Sequence, residues 1–231
     1  MKNKIILLTG ATSGIGRSLA KQLAAEGAIL ALCGRSEEKM ASLLEELSLP
    51  KGQIFSKCFS ITSEEEIIRF VEETNQELGN IDTLINCAGA NSARGKVEEM
   101  KTEDLDYMYA LNFRAPMIFM REAYKKIKAV ESGTIVNILS TVCLFSNEGI
   151  GAYTATKSGL DSLTKVFRKE ARKDGVKVIS VYPGGVDTDF RAADRPEYLS
   201  PEPVAESIVS MLKLPAEVHE LVLRPMVEEN F

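Results

Sequence analysis

Short apolar runs, mostly of five or six residues, alternate along this chain with longer segments in which apolar side chains recur at helical spacing. The runs fall at 5–9, 28–33, 54–59, 81–85, 134–139, 176–181 and 221–223. The intervening segments are 13–25, 37–47, 64–78, 102–130, 151–173 and 203–214. In 13–25, Ile15, Leu19 and Leu23 share one face; in 37–47, Met40, Leu43, Leu44 and Leu47 do. Uninterrupted apolar runs of this length suit strands buried on both faces. The longer segments suit amphipathic helices. Strand-helix alternation repeated in this way predicts an α/β fold: a doubly wound parallel sheet of about seven strands, three layers deep, with helices on both faces. No linker, low-complexity tract or internal repeat interrupts it, so residues 1–231 read as one domain.

Punctuation agrees. Ser36-Glu37-Glu38, Thr62-Ser63-Glu64 and Thr102-Glu103-Asp104 place caps and acids at helix starts, and Gly27, Gly79, Gly133 and Gly175 each precede a strand. Composition narrows the function. With 45% hydrophobic and 26% charged residues the chain is an ordinary globular one. A net charge of -5 argues against a nucleic-acid surface, which needs a basic stripe. No apolar run nears the roughly 18–20 residues of a membrane span, and the N-terminus lacks the long apolar core of a signal peptide. The expectation is a cytoplasmic protein without membrane or nucleic-acid partners. Cys33, Cys58, Cys87 and Cys143 sit widely spaced in apolar surroundings and read as small buried hydrophobes. With His219 the only histidine, a His/Cys metal site is not expected, nor a Ser-His-Asp hydrolase, whose G-x-S-x-G elbow is absent.

The first strand runs into Thr9-Gly10-Ala11-Thr12-Ser13-Gly14-Ile15-Gly16, where a helix begins. A helix N-terminus offers unpaired N–H groups and a positive dipole end, and glycines allow a pyrophosphate to approach. The spacing is neither Gly-x-Gly-x-x-Gly nor a P-loop, in which Ala11 and Arg17 would stand for a glycine and the lysine. Arg35 follows the second strand, where a dinucleotide fold meets the adenosine ribose. With no carboxylate before Glu37, that corner suits a 2′-phosphate, which guanidinium holds through two aligned hydrogen bonds. The coenzyme read from these residues is NADP in preference to NAD.

Tyr153 and Lys157 lie four residues apart, on one face of a helix. An ammonium beside a phenol favours the phenolate, which makes tyrosine a usable acid or base near neutral pH. Taken together, these elements resemble the short-chain dehydrogenase/reductase family in its compact single-domain branch, over essentially the whole chain. Thr9-Gly10-x-x-x-Gly14-x-Gly16 is similar to the family's coenzyme turn. Asn86-Cys87-Ala88-Gly89 is similar to its Asn-Asn-Ala-Gly element, with cysteine second. Asn112, and Ser140 thirteen residues before Tyr153, match its catalytic group; Pro183-Gly184-Gly185-Val186-Asp187-Thr188 matches the element beside the nicotinamide.

The resemblance implies a Rossmann-type fold and a carbonyl (ketone or 3-oxoacyl) reductase or alcohol dehydrogenase. It implies Tyr153 as general acid/base, Lys157 on the nicotinamide ribose, Ser140 on the substrate oxygen and Asn112 anchoring a water. Gly10, Ser13, Gly14, Ile15 and Gly16 would follow the pyrophosphate and ribose, and Arg35 and Ser36 the 2′-phosphate. Asn86, Ala88 and Gly89 would lie near the adenosine half, and Pro183, Gly184, Val186 and Thr188 at the carboxamide. Ser60 stands where the family has an adenine-binding aspartate, so a weaker adenine contact is expected. Two other readings stay open: a non-catalytic sensor of coenzyme redox state, and an epimerising or dehydrating enzyme. Val142, Leu144, Phe145, Phe190 and Tyr198 are expected to make an apolar substrate wall, and Arg191 and Arg195 to be solvated. The resemblance also implies a homo-oligomer, tetramer or dimer, built on the helices at 102–130 and 151–173.

Overall fold

The computed structural model describes residues 1–190 and 195–228. Seven strands, β1 (Ile5–Thr9), β2 (Ile29–Gly34), β3 (Ile54–Cys58), β4 (Thr83–Asn86), β5 (Thr134–Ile138), β6 (Lys177–Pro183) and β7 (Glu220–Leu223), form one sheet in the order β3-β2-β1-β4-β5-β6-β7. Every neighbouring pair is parallel. This is the doubly wound, Rossmann-type arrangement that the alternation predicts. The chain moves outward from β1 to β3, then returns to place β4 on the other side of β1. That reversal opens a crevice beyond the carboxyl ends of β1 and β4.

Strand geometry divides the core in two. All five residues of β1 are buried, with Ile5 and Leu7 on one face and Ile6 and Leu8 on the other. The first pair joins a core with α3 (Glu64–Glu77), α5 (Ala115–Ile127) and α6 (Gly151–Ala171). The second joins α1 (Gly14–Ala25), α2 (Glu37–Leu47) and α7 (Pro201–Leu212). Each fully buried Leu or Ile contributes roughly 1.5–3 kcal/mol. A charged substitution at any central position of β1 removes that and strands a charge between helix layers.

The expected helix at 102–130 is divided. α4 (Thr102–Tyr109) passes through one π-helical turn (Ala110–Arg114) into α5. Pro116 is the cause: it has no N–H to donate to the carbonyl of residue 112, so the ladder widens, and the Ala115 N–H reaches back to Ala110 O. Met108, Leu111, Phe119 and Met120 are buried in the chain's own core.

Two buried polar clusters tie α6 to the sheet. Asn137 on β5 donates to Thr164 Oγ1 at 2.9 Å and accepts from Asn86 Nδ2 at 2.9 Å. One turn after Lys157, Asp161 accepts from Tyr182 Oη on β6 at 2.7 Å and from Lys165 Nζ at 2.7 Å. Burial, then the Asp161 carboxylate, pushes the Tyr182 phenol up. Asp161→Ala leaves that hydroxyl buried without its acceptor. It is expected to lower stability by about 2–4 kcal/mol in urea unfolding. A change below about 0.5 kcal/mol would show that the cluster is not closed as described.

Candidate active site

The strand ends enclose a cleft of about 1190 Å³ that runs from the end of β2, past β1 and β4, to the ends of β5 and β6. Its floor is the glycine turn. Gly10 has φ +68°, and a Cβ there would stand 2.8 Å from Ala88 Cα. A Cβ on Gly16 would stand 2.0 Å from Gly10 O. The turn is therefore pressed against both the β4 loop and its own helix, where only hydrogen fits. Thr9 Oγ1 fastens it by accepting the N–H groups of Cys87 at 3.0 Å and Ala88 at 3.1 Å.

The start of α1 differs from the helices beside it. α2 and α3 begin on serines whose hydroxyls accept a backbone N–H, followed by acids in the first turn. α1 begins at Ser13, whose side chain makes no such bond, and its first turn holds no acid. Its leading N–H groups are left to an external anion, in a cradle that glycine keeps open. These features fit the pyrophosphate of a dinucleotide.

At the β2 end, Arg35, Ser36 and Lys39 line the cleft. Arg35 Nη1 donates to Tyr107 Oη at 3.0 Å, and Ser36 Oγ accepts the Lys39 N–H at 3.2 Å. Gly34 sits beneath them: a Cβ there would fall 2.6 Å from Thr12 Cγ2. At the opposite end Ser140, Tyr153 and Lys157 line the same cleft, with Pro183, Gly184, Val186 and Thr188 facing from the β6 loop. Ser140 closes β5 with extended backbone, and its hydroxyl accepts the Val142 N–H at 3.3 Å, opening a single 3-10 turn. Tyr153 is 7% exposed, and its ring lies 5.8 Å from that of Phe190. Lys157 is 4% exposed and donates from Nζ to Ile138 O at 2.8 Å. Burial brings its ammonium down to about 8.

Gly89 packs tightly beside two groups: a Cβ there would lie 3.2 Å from Asn112 Oδ1 and 3.3 Å from Lys157 Nζ. Cys87 also lines the cleft, and burial pushes its thiol up to about 12 against the opposing effect of Lys157. Cys33 alone of the four cysteines is fully buried; the other three are half-buried, and all four are free. Among the described residues no His/Cys/Asp/Glu group could hold a metal ion, and no helix is long and apolar enough to cross a membrane.

Two residues, Asn86 and Ser60, stand elsewhere than the sequence suggests. Asn86 is buried in the sheet, its amide donating to Asn137 Oδ1 and Pro116 O, because its side chain points from β4 toward α5 and not into the cleft. Ser60 lies at the surface with its hydroxyl on Thr62 Oγ1, while the next residue, Ile61, reaches the cleft wall. Asn112, on the π turn, sits behind that wall. Its Oδ1 accepts from Ala90 N at 2.9 Å, and its Nδ2 donates to Ala90 O at 2.8 Å and Thr156 Oγ1 at 3.3 Å. Its side chain fastens the β4 loop to α6.

The substrate end is also more polar than expected. Val142, Phe145 and Tyr198 are present, but Leu144 is exposed and outside the wall. Arg94, Glu148, Arg224 and Glu228 enter instead. Glu228 accepts the Gly185 N–H at 2.6 Å and pairs with Arg224, whose guanidinium lies 4.9 Å from the Phe145 ring centroid. No local pattern announces Glu228, which is 43 residues from its partner. Arg195 pairs with Glu197 at the surface; Arg191 lies outside the described residues.

A parallel sheet with an anion cradle at its switch point, carrying a tyrosine and a lysine on one helix face in the same cleft, defines a nicotinamide-dependent oxidoreductase. A model of the short chain dehydrogenase family matches residues 4–199, and the chain belongs to that family. It is an oxidoreductase of CH–OH and C=O groups with NAD or NADP. A Staphylococcus aureus (strain MW2) protein described as an uncharacterized oxidoreductase is 31% identical over 98% of this chain and 99% of its own. Among solved structures, an alcohol dehydrogenase from Thermococcus sibiricus complexed with 5-hydroxy-NADP superposes with a TM-score of 0.91 at 26% identity, over all of both chains. A dehydrogenase/reductase from Sinorhizobium meliloti 1021 does so at 0.88 and 29%, over 96% of this chain and 94% of its own.

Proposed function

We propose that this chain is an NADP(H)-dependent reductase of ketone or 3-oxoacyl carbonyls, working in either direction, with Tyr153 as general acid/base. The observation that carries the reading is the convergence of Ser140, Tyr153 and Lys157, from the end of β5 and one face of α6, at the opposite end of one cleft from Arg35.

Bound coenzyme supplies the hydride or accepts it. The chain supplies everything else. Gly10, Ser13, Gly14, Ile15 and Gly16 cradle the pyrophosphate, with Ala88 and Gly89 as the facing wall. Pro183, Gly184, Val186 and Thr188 enclose the nicotinamide end. Ser140 donates its hydroxyl hydrogen to the substrate oxygen and orients it toward Tyr153. Tyr153 gives its phenolic proton to that oxygen in reduction and takes it back in oxidation. Lys157, still an ammonium at pH 7, favours the phenolate and holds the ribose hydroxyls. Asn112 acts as a positioning residue, through Ala90 and Thr156.

NADP is favoured by Arg35 and Ser36 at the β2 end, with no carboxylate on the β2 tip itself, and by the 5-hydroxy-NADP held by the archaeal alcohol dehydrogenase. A charge reversal there tests it. Arg35→Asp is expected to weaken NADP binding about 100-fold while leaving NAD within about threefold. Titration of coenzyme fluorescence reads both, and an unchanged NADP/NAD ratio would remove the preference. Oxidation of NADPH with a panel of ketones and 3-oxoacyl thioesters identifies the substrate class.

A further inference from the structure

At the β2 end of the cleft a second cation faces the adenosine corner, already engaged by a carboxylate from the far side. Lys39 Nζ lies 2.8 Å from Asp189 Oδ2, so the pair links the first turn of α2 to the loop after β6. Both residues line the main cleft and also a neighbouring cavity of about 440 Å³. The two side chains are half-exposed or more, at 50% and 75%. An ion pair in that setting contributes little stability and yields readily to a stronger anion.

We propose that Lys39 is a second cationic ligand of the coenzyme's 2′-phosphate, and that Asp189 is its internal counter-ion, displaced when that phosphate binds. The inference rests on the NADP reading and adds to it a specificity residue that neither the glycine turn nor the Arg35 position reveals.

The chemistry favours the exchange. A phosphate dianion offers three acceptor oxygens and up to two charges to the ammonium, against one charge on the carboxylate. The Lys39 side chain starts beside the proposed phosphate ligands, since its own N–H is held by Ser36 Oγ. Arg17, the other cation of the neighbouring cavity, is unavailable: its guanidinium is bonded to Glu46, Ser42 and Lys39 O. Arg35 is tethered by the neutral Tyr107 hydroxyl, which competes with phosphate far less than a carboxylate does. NAD lacks the phosphate and leaves the Lys39–Asp189 pair intact. Asp189 therefore opposes NADP alone.

Isothermal titration of NADP and NAD into wild type, Lys39→Met, Asp189→Asn and the double variant tests this. Lys39→Met is expected to weaken NADP about tenfold and leave NAD unchanged. Asp189→Asn is expected to tighten NADP about threefold and leave NAD unchanged, and to lose that effect in the Lys39→Met background, because the carboxylate acts through the lysine. If Asp189→Asn tightened NADP equally in both backgrounds, Asp189 would be a bystander charge and the counter-ion role would be wrong. If Lys39→Met left NADP binding unchanged while Arg35→Asp weakened it, the coenzyme reading would stand and this inference would fail. If neither variant moved NADP binding, the coenzyme reading itself would fall.

Discussion

Tyr153→Phe is expected to turn over about 100- to 10,000-fold more slowly than wild type while binding coenzyme with unchanged affinity. The substitution removes one oxygen and keeps the ring, so the ring contact with Phe190 survives and the cleft keeps its shape. What is lost is the proton carried to or from the substrate oxygen, a contribution of about 100- to 10,000-fold in general acid/base catalysis. Steady-state NADPH oxidation gives the rate, coenzyme fluorescence the affinity, and thermal unfolding the fold. Retention of more than about a tenth of the activity, with the fold intact, would assign the proton to another group. A sensor of coenzyme redox state would show no turnover in either protein, so the wild-type assay separates that reading too.

Lys157→Met is expected to be comparably inactive and, in addition, to change how stability depends on pH. Lys157 is buried, with its ammonium brought down by burial to about 8 from an ordinary 10.5. Below pH 8 the lysine is charged in both folded and unfolded chains, and the folded protein bears the full cost of the buried charge. Between 8 and 10.5 the unfolded chain holds the proton that the folded one has released. Stability contributed by this group therefore rises with pH across that window, by on the order of 3 kcal/mol in all. The thiols of Cys33 and Cys87 act in the opposite sense, since burial raises both and their contribution is lost as pH climbs past 9. The informative quantity is the difference between wild type and Lys157→Met. In urea unfolding at pH 7, 8.5 and 10, wild type is expected to gain on the variant as pH rises. Parallel curves would mean that the lysine is not buried as a cation. On the proposed mechanism, the same residue lowers stability at neutral pH and serves the chemistry, the exchange expected of a preorganised active site.

Much of this was legible before folding. Continuous apolar runs and 3.6-residue periods are local patterns, so the seven strands and the helices between them fall within a few residues of where those patterns put them. The glycine turn was legible because backbone approach permits only hydrogen at Gly10 and Gly16. Tyr153 and Lys157 were legible because a spacing of four on a helix brings two side chains to one face whatever surrounds them. The π turn was not legible: the helical period at 102–130 runs on through Pro116, and the break there shows only in the structure.

What the sequence determined by itself, then, is the element order, the glycine turn and the placing of Tyr153 and Lys157 on one helix face, each set by steric or periodic rules acting over a few residues. Tertiary structure alone decided that Asn86 faces Asn137 and that Asn112 clasps Ala90 behind the cleft wall. It also decided that Glu228 reaches Gly185 and that Lys39 meets Asp189 across 150 positions. Those pairings depend on how helices pack on the two faces of the sheet and where the loops cross its carboxyl edge. That packing is a property of the whole core, and no local window of the sequence contains it.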